Sequence, residues 1–379
     1  MMKKFVCATS VLAASICAQA DITVGVVTSS SGPVAMVGIP QKNTVDLLPK
    51  KIGNENVRYI SLDDASDPTA SVKAVEKLIK ENNVDAIIGP SGSPNATAVI
   101  GTVAKAKVPL LAPVGTASVV LPMDAQKKWV FKTTQNDDII AEALIQDMVK
   151  RKIKTLGFIG TADPYGENWG KVVNALAKKH GIQIVAQESF QRQDTSLTGQ
   201  ALKLISKKPQ AVLVAAPGSS AVPPQTALYD RGYRGQMYQT HGAALDQFLT
   251  LGGKKVENTI LAASLMLVIN EVPNSHPSKA VASKYINAYK AKYKQTPATF
   301  GANVYDAGIL LEKAIPVALK SAKPGTVQFR EALRTALEST KEVAGTQGVY
   351  NMNPNDHSGF DKRGREMITV KNGQWKLLK

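Results

Sequence analysis

Short β-rich apolar runs alternate with helix-period segments along this chain, and the alternation starts afresh once. The first runs are ITVGVV (22–27), VRYISLDD (57–64), VDAIIG (84–89) and VPLLAP (108–113). After Ser66-Asp67-Pro68, read as a cap with proline at an early helical position, Val72, Val75, Leu78 and Ile79 share a helical face. After Ser93-Pro94, Ala98, Val99, Val103 and Ala106 do the same. Near residue 137 the pattern begins again. DDIIAEALIQDMVKRK reads as a helix, KTLGFIG (154–160) as a strand, and YGENWGKVVNALAKKHG as a helix ending at Gly181. IQIVAQESF, AVLVAAPG and QMYQTHG read as further strands. Strands separated by helices imply parallel sheets, because a parallel pair needs a long crossover. The expectation is α/β: two similar lobes, each with a parallel-rich sheet. The portion from 265 to 379 carries helical segments near 278–294 and 303–321 and strand-like GVYNMN and MITVKNGQWKLL. It is too short for a third lobe, so it completes the first two, and the chain crosses between lobes more than once.

The first twenty residues, MMKKFVCATSVLAASICAQA, have the layout of an export leader. Lys3 and Lys4 precede the apolar stretch Phe5–Ile16, and Ala18-Gln19-Ala20 is a small-x-small cleavage site. The expected mature chain starts at Asp21; removing 20 of the 379 residues leaves 359. That length exceeds one ordinary core. Both cysteines, Cys7 and Cys17, fall in the leader, so no thiol chemistry, disulfide or Cys-ligated metal is expected afterwards. No later run has transmembrane length. The expected location is a bacterial periplasm.

The net charge is +16, or +14 without Lys3 and Lys4. The cations are spread along segments such as KAVEKLIKENN and YINAYKAKYK. That scatter suits solvated helix faces, not a nucleic-acid surface, which needs clustering. A positive field still favours small anionic ligands on approach.

In open parallel sheets, ligands bind at the carboxyl ends of strands. Four segments put small polar residues there: TSSSGPVAMVG, GPSGSP, APVGTAS and QTHGAA. In the second, Gly89 and Gly92 permit close backbone approach, and Ser93 is expected to cap a helix with Pro94 as its first residue. Free N–H groups at that helix start, with Ser91 and Ser93 hydroxyls, favour an anion. Catalytic sets are missing. Gly166-Glu-Asn-Trp-Gly170-Lys171-Val172 is one residue short of a phosphate loop and lacks its hydroxyl. There is no G-x-S-x-G elbow. His180, His241, His276 and His357 have no metal-ligand spacing. Asp63, Asp64 and Asp67 read as a turn and helix start. No cofactor, metal or enzymatic activity is expected.

The ordered set VGVVTSSSGPVAMVG, DDASDPTASVKAVEKLI, VDAIIGPSGSPNA, VPLLAPVGTAS, FKTTQNDD, GFIGTADPYGENW and THGAALDQFLTLGG spans essentially the whole mature chain. It resembles the type I periplasmic solute-binding proteins of ABC importers, similar to the leucine/isoleucine/valine-binding proteins. The resemblance implies two Rossmann-like lobes joined by three hinge crossovers, with ligand at their interface. It implies a first lobe of 21–138 plus 265–346 and a second of 139–264 plus 347–379. It implies that the loop with Ser91, Gly92 and Ser93 and the set Val114, Gly115 and Thr116 hold a ligand carboxylate. Tyr165 would cap the pocket, with Pro217, Gly218 and Ser219 at the seam.

Two positions depart from the amino-acid-binding pattern. Val37 stands where an aromatic commonly precedes the glycine of the first loop. His241 stands where an acidic residue commonly pairs the ligand ammonium. YQTHG and MNPNDHSGFD resemble a branch associated with aromatic carboxylates. The expected ligand is therefore a small carboxylate, favoured as an aromatic or aryl-keto acid, with His241 donating to it. The expected partner is an inner-membrane ABC permease, and the expected state a monomer. A branched-chain or other amino-acid binder, a sensor subunit and an exported enzyme remain as alternatives.

Overall fold

The computed structural model describes residues 22–297 and 299–378. The leader, its cleavage site and Asp21 lie outside the described residues. The first lobe runs β1 (Ile22–Thr28), α1 (Ala35–Val45), β2 (Lys51–Ile52), β3 (Glu55–Asp63), α2 (Pro68–Asn82), β4 (Ala86–Ile88), α3 (Ser93–Ala106), β5 (Leu110–Ala112) and β6 (Val130–Lys132). The second runs α4 (Asp137–Lys150), β7 (Thr155–Thr161), α5 (Pro164–Lys179), β8 (Gln183–Phe190), α6 (Thr198–Ser206), β9 (Ala211–Ala215), α7 (Val222–Asp230), β10 (Gln236–Gln239), α8 (Asp246–Gly252) and β11 (Ile260–Ala263). The return segment supplies α9 (Lys279–Tyr293), α10 (Thr299–Ala318), α11 (Val327–Glu338), β12 (Val343–Ala344), β13 (Val349–Tyr350), β14 (Glu366–Lys371) and β15 (Gln374–Leu377).

Two parallel-rich sheets result. The first has the order β2-β3-β1-β4-β5-β6, and only the β2–β3 hairpin is antiparallel. The second has the order β15-β14-β11-β10-β9-β7-β8, with β14 and β15 antiparallel. All seven residues of β1 are buried, as a strand covered on both faces requires. β3, next to the edge, alternates toward solvent. Asp67 caps α2 by accepting from the Ala70 N–H at 2.6 Å, and Pro68 opens the helix. The buried face of α2 is Ser71, Ala74, Val75 and Leu78, turned from the expected one so that Val72 and Ile79 lie at its margin. Asp64 is structural. It accepts from Ser29 Oγ, Ser71 Oγ and Asn95 Nδ2, tying three elements together beneath the first loop.

The return segment covers the first sheet. Thr44 Oγ1 lies 2.8 Å from Tyr285 OH, and Asn43 Nδ2 donates to Tyr289 OH, so α1 holds α9. Residues 349–360 also pack there, although the sequence placed everything after 346 with the second lobe. Tyr350 is fully buried and donates to Thr133 O and Asp306 Oδ2, and His357 stacks on Phe131 at 4.2 Å. Only β14 and β15 join the second sheet.

The chain therefore passes between sheets three times: after β6, after β11 and before β14. Two amides tie the first passage to the third and to the start of α10. Gln135 Nε2 donates to Gln347 O and Gly364 O, and Gln347 Nε2 donates to Thr299 O. Among the described residues, no helix is long and apolar enough to cross a membrane.

Candidate functional site

The carboxyl ends of both sheets face one another across a narrow cleft with a cavity volume of about 40 Å³, or about 580 Å³ when all open space at its mouth is counted. From the first lobe come Val34 and Val37 after β1, Ser91–Ser93 after β4, Pro113–Gly115 after β5, and Thr134 and Gln135 after β6. From the second come Tyr165 after β7, Arg192 after β8, Pro217 after β9, His241 after β10 and Ser264 after β11. Thr299, Phe300 and Asn303 of α10 and Gln347 complete the wall.

Nine expected site residues line this cleft: Val37, Ser91, Gly92, Ser93, Val114, Gly115, Tyr165, Pro217 and His241. Three do not. Thr116 Oγ1 accepts from Ser118 N at 3.3 Å and lies 3.5 Å from Pro164 O, so it caps a short 3-10 turn and spans the lobes at the rim. Gly218, at φ +62°, packs behind Val37, and Ser219 sits partly exposed in the turn Gly218–Ala221.

The start of α3 also differs from expectation by one residue. Gly92 is the cap, Ser93 is the first helical residue and Pro94 the second, with no side chain capping the helix. A glycine cap leaves the first-turn donors for something other than the protein, and an anion is what such donors favour. Ser91 Oγ accepts from Ser29 N at 2.9 Å, which fixes the loop and leaves its own proton to donate.

The electrostatics are one-sided. Among the described residues, no Asp or Glu side chain lines the cleft. Arg192 reaches its wall, and Arg192 Nε donates to Asp163 Oδ2 at 2.6 Å. Its Nη1 and Nη2 are buried without any partner. Asp163 is itself fixed, because its Oδ1 caps α5 through Tyr165 N and Gly166 N and accepts from Thr161 Oγ1. Burial, aided by the nearby Lys132 charge, pushes the His241 imidazole down to about 3. It is neutral at any ordinary pH, and its Nδ1 is buried without a partner. Lys132 is fully buried under the cleft, donating to Gly115 O and Gln135 O at 2.5 and 3.2 Å. Burial pulls it down to about 8, while Asp137 and Asp138 hold it up. Asp137, also buried, is pushed up to about 7. Tyr165 OH lies 2.8 Å from Thr240 Oγ1, which sets the ring as one wall. At the hinge side, Ser264 Oγ and Asn303 Oδ1 are buried and unpaired.

Arg192, Ser264 and Asn303 went unnoticed in the sequence. Arg192 sits in SFQRQD directly after a strand. The strand-end rule that selected the other loops would have found it.

A family model described as periplasmic binding protein matches residues 21–364. The chain belongs to the periplasmic binding protein family. A Leu/Ile/Val-binding protein of Rhizobium johnstonii is 27% identical over 86% of each chain. The crystal structure of an extracellular ligand-binding receptor from Rhodopseudomonas palustris HaA2 is 43% identical, covers 95% of this chain and 100% of its own, and superposes with a TM-score of 0.92. A Streptococcus pneumoniae branched-chain amino acid transporter substrate-binding protein, solved with isoleucine, shares the fold at 20% identity and a TM-score of 0.79, over 95% and 99% of the two chains. Periplasmic binding proteins of this type hold small ligands for ABC permeases and do not transform them. The wall suits that task, being a set of donors around a void with no nucleophile and base in contact.

Proposed function

We propose that this periplasmic binding protein is the substrate-binding subunit of an ABC importer and captures a small carboxylate, an aromatic or aryl-keto acid being favoured. One observation carries the reading. The cleft wall has a guanidinium with free nitrogens and a neutral imidazole, and among the described residues it has no acidic side chain. A carboxylate meets charge-assisted donors there. An α-ammonium would be buried without a countercharge, which is expensive. Val37, Val114, Pro217, Tyr165 and Phe300 supply apolar walls for a ring. The carboxylate's further donors would be Ser91, Gly92, Ser93 and the Val114–Gly115 backbone.

In this reading the export leader is removed after Ala20, the protein works as a monomer, and the lobes close on the ligand about the stitched crossovers. Micromolar affinity corresponds to about 8 kcal/mol, within reach of a few such donors and one buried ring. A branched-chain amino-acid ligand is the second reading, favoured by the names of the Rhizobium and Streptococcus proteins. A thermal-shift screen over amino acids, aliphatic acids and aromatic acids separates the two. Aromatic acids are expected to raise the melting temperature and leucine to leave it unchanged. Leucine as the best stabiliser would refute the carboxylate-only reading.

A further inference from the structure

The unpaired groups of the cleft lie at two separate places. Arg192 Nη1 and Nη2 are held over the β7 side, because Asp163, which follows β7, grips the same guanidinium. Ser264 follows β11, three strands further along the order β7-β9-β10-β11. Neighbouring strands are about 4.8 Å apart, so these strand ends are separated by about 14 Å. Between them lie Tyr165, Pro217 and His241 from one lobe and Val37 and Val114 from the other.

We propose that the ligand is an elongated acid with two polar ends, and that Arg192 holds one end and Ser264 the other. The inference rests on the carboxylate reading above. The carboxylate takes both Nη donors of Arg192 side by side, a geometry that guanidinium offers and ammonium does not. α3 and α5 lie in contact across the cleft, so the uncapped start of α3 serves the same carboxylate from the other lobe. The far end carries a hydroxyl. Asn303 Oδ1 is an acceptor in want of a proton, and the Ser264 hydroxyl is a donor in want of an acceptor. One hydroxyl satisfies both. Asp163 is a positioning residue that aims the guanidinium.

Isothermal titration of the mature protein with benzoate, 3-phenylpropanoate, 3-(4-hydroxyphenyl)propanoate, its carboxamide and leucine tests this. The hydroxylated long acid is expected to bind at least tenfold tighter than benzoate, 3-phenylpropanoate or the carboxamide. Arg192→Lys is expected to lose at least tenfold for the long acid while the carboxamide is unaffected. Ser264→Ala is expected to erase the advantage of the hydroxyl. Equal binding of benzoate and the long acid overturns the two-ended ligand while leaving the carboxylate reading intact. Full affinity in Arg192→Lys overturns the anchor. Should that variant not fold, the acid-to-carboxamide ratio on the parent protein decides the same point. Leucine binding with no aromatic acid binding overturns the parent reading, and this inference with it.

Discussion

Gly115 and His241 meet across the cleft: a Cβ built on Gly115 would stand 2.8 Å from His241 Nε2 and equally close to Tyr165 Cε2. Only a bare α-carbon lets the first lobe come this near the second. Gly115→Ala is expected to hold the lobes apart without disturbing either core. Ligand affinity should fall at least tenfold, about 1.4 kcal/mol, with the ligand-free melting temperature almost unchanged. Small-angle scattering should show a larger radius of gyration at saturating ligand than in the parent.

His241 gives stability a signed dependence on pH. The unfolded chain takes up its proton near 6.5, while the folded site resists until about 3. Its contribution is thus present above pH 6.5 and is lost as the pH falls through that window, by up to about 1.4 kcal/mol per pH unit. Asp137, pushed up to about 7, acts in the opposite sense. The clean measurement is therefore a difference: urea unfolding of His241→Gln and of the parent at pH 4, 5 and 6. The variant is expected to lose less stability on acidification, and parallel curves would contradict the assignment.

His241→Glu tests the sign of the site's preference. A carboxylate introduced into a wall that has none among the described residues should weaken an acidic ligand at least tenfold. If calorimetry shows unchanged affinity, His241 is scaffold.

Asp163→Asn keeps an oxygen for the α5 cap and removes the countercharge of Arg192. A fully buried pair broken in this way costs about 3–5 kcal/mol. Here both side chains keep some exposure, 11% and 15%, so about 2–3 kcal/mol is expected. A bound carboxylate would restore the missing negative charge. The thermal shift on adding ligand should therefore be larger in the variant than in the parent.

Two glycines in the first lobe should respond oppositely to alanine. A Cβ on Gly38 would lie 2.0 Å from Ser29 O, whereas one on Gly101 meets nothing within 4 Å. Gly38→Ala should destabilise strongly because backbone must move. Gly101→Ala, inside α3, should stabilise by roughly 0.5–1 kcal/mol through helix propensity. Chemical denaturation of the pair gives both values.

Much of the architecture could be read ahead of the coordinates because long buried strands and helical periods are local signals. β1, β7 and β9 each announce themselves as continuous apolar runs, and α5 by the run from Tyr165 that ends at Gly181. β6 and β11 escaped, being only three and four residues long. α11 was missed although its buried Phe329, Leu333, Ala336 and Leu337 recur at helical spacing. In the site, the small-residue loops were visible and their charged partner was not. Arg192 looks like any loop arginine until Asp163, 29 positions earlier, is seen to hold it. Thr116 misled for the converse reason, since its hydroxyl is consumed by a turn only three residues long.

Gln135 and Gln347 fasten the first and third passages of the chain to one another and to the start of α10, at the edge of the ligand space. A joint secured along a line has one easy rotation and resists twist and slide. If the lobes close as proposed, such a joint converts what a guest does inside into a single coordinate of movement outside. A membrane partner that senses the separation of the two outer tips can tell a loaded molecule from an empty one without ever contacting the cargo.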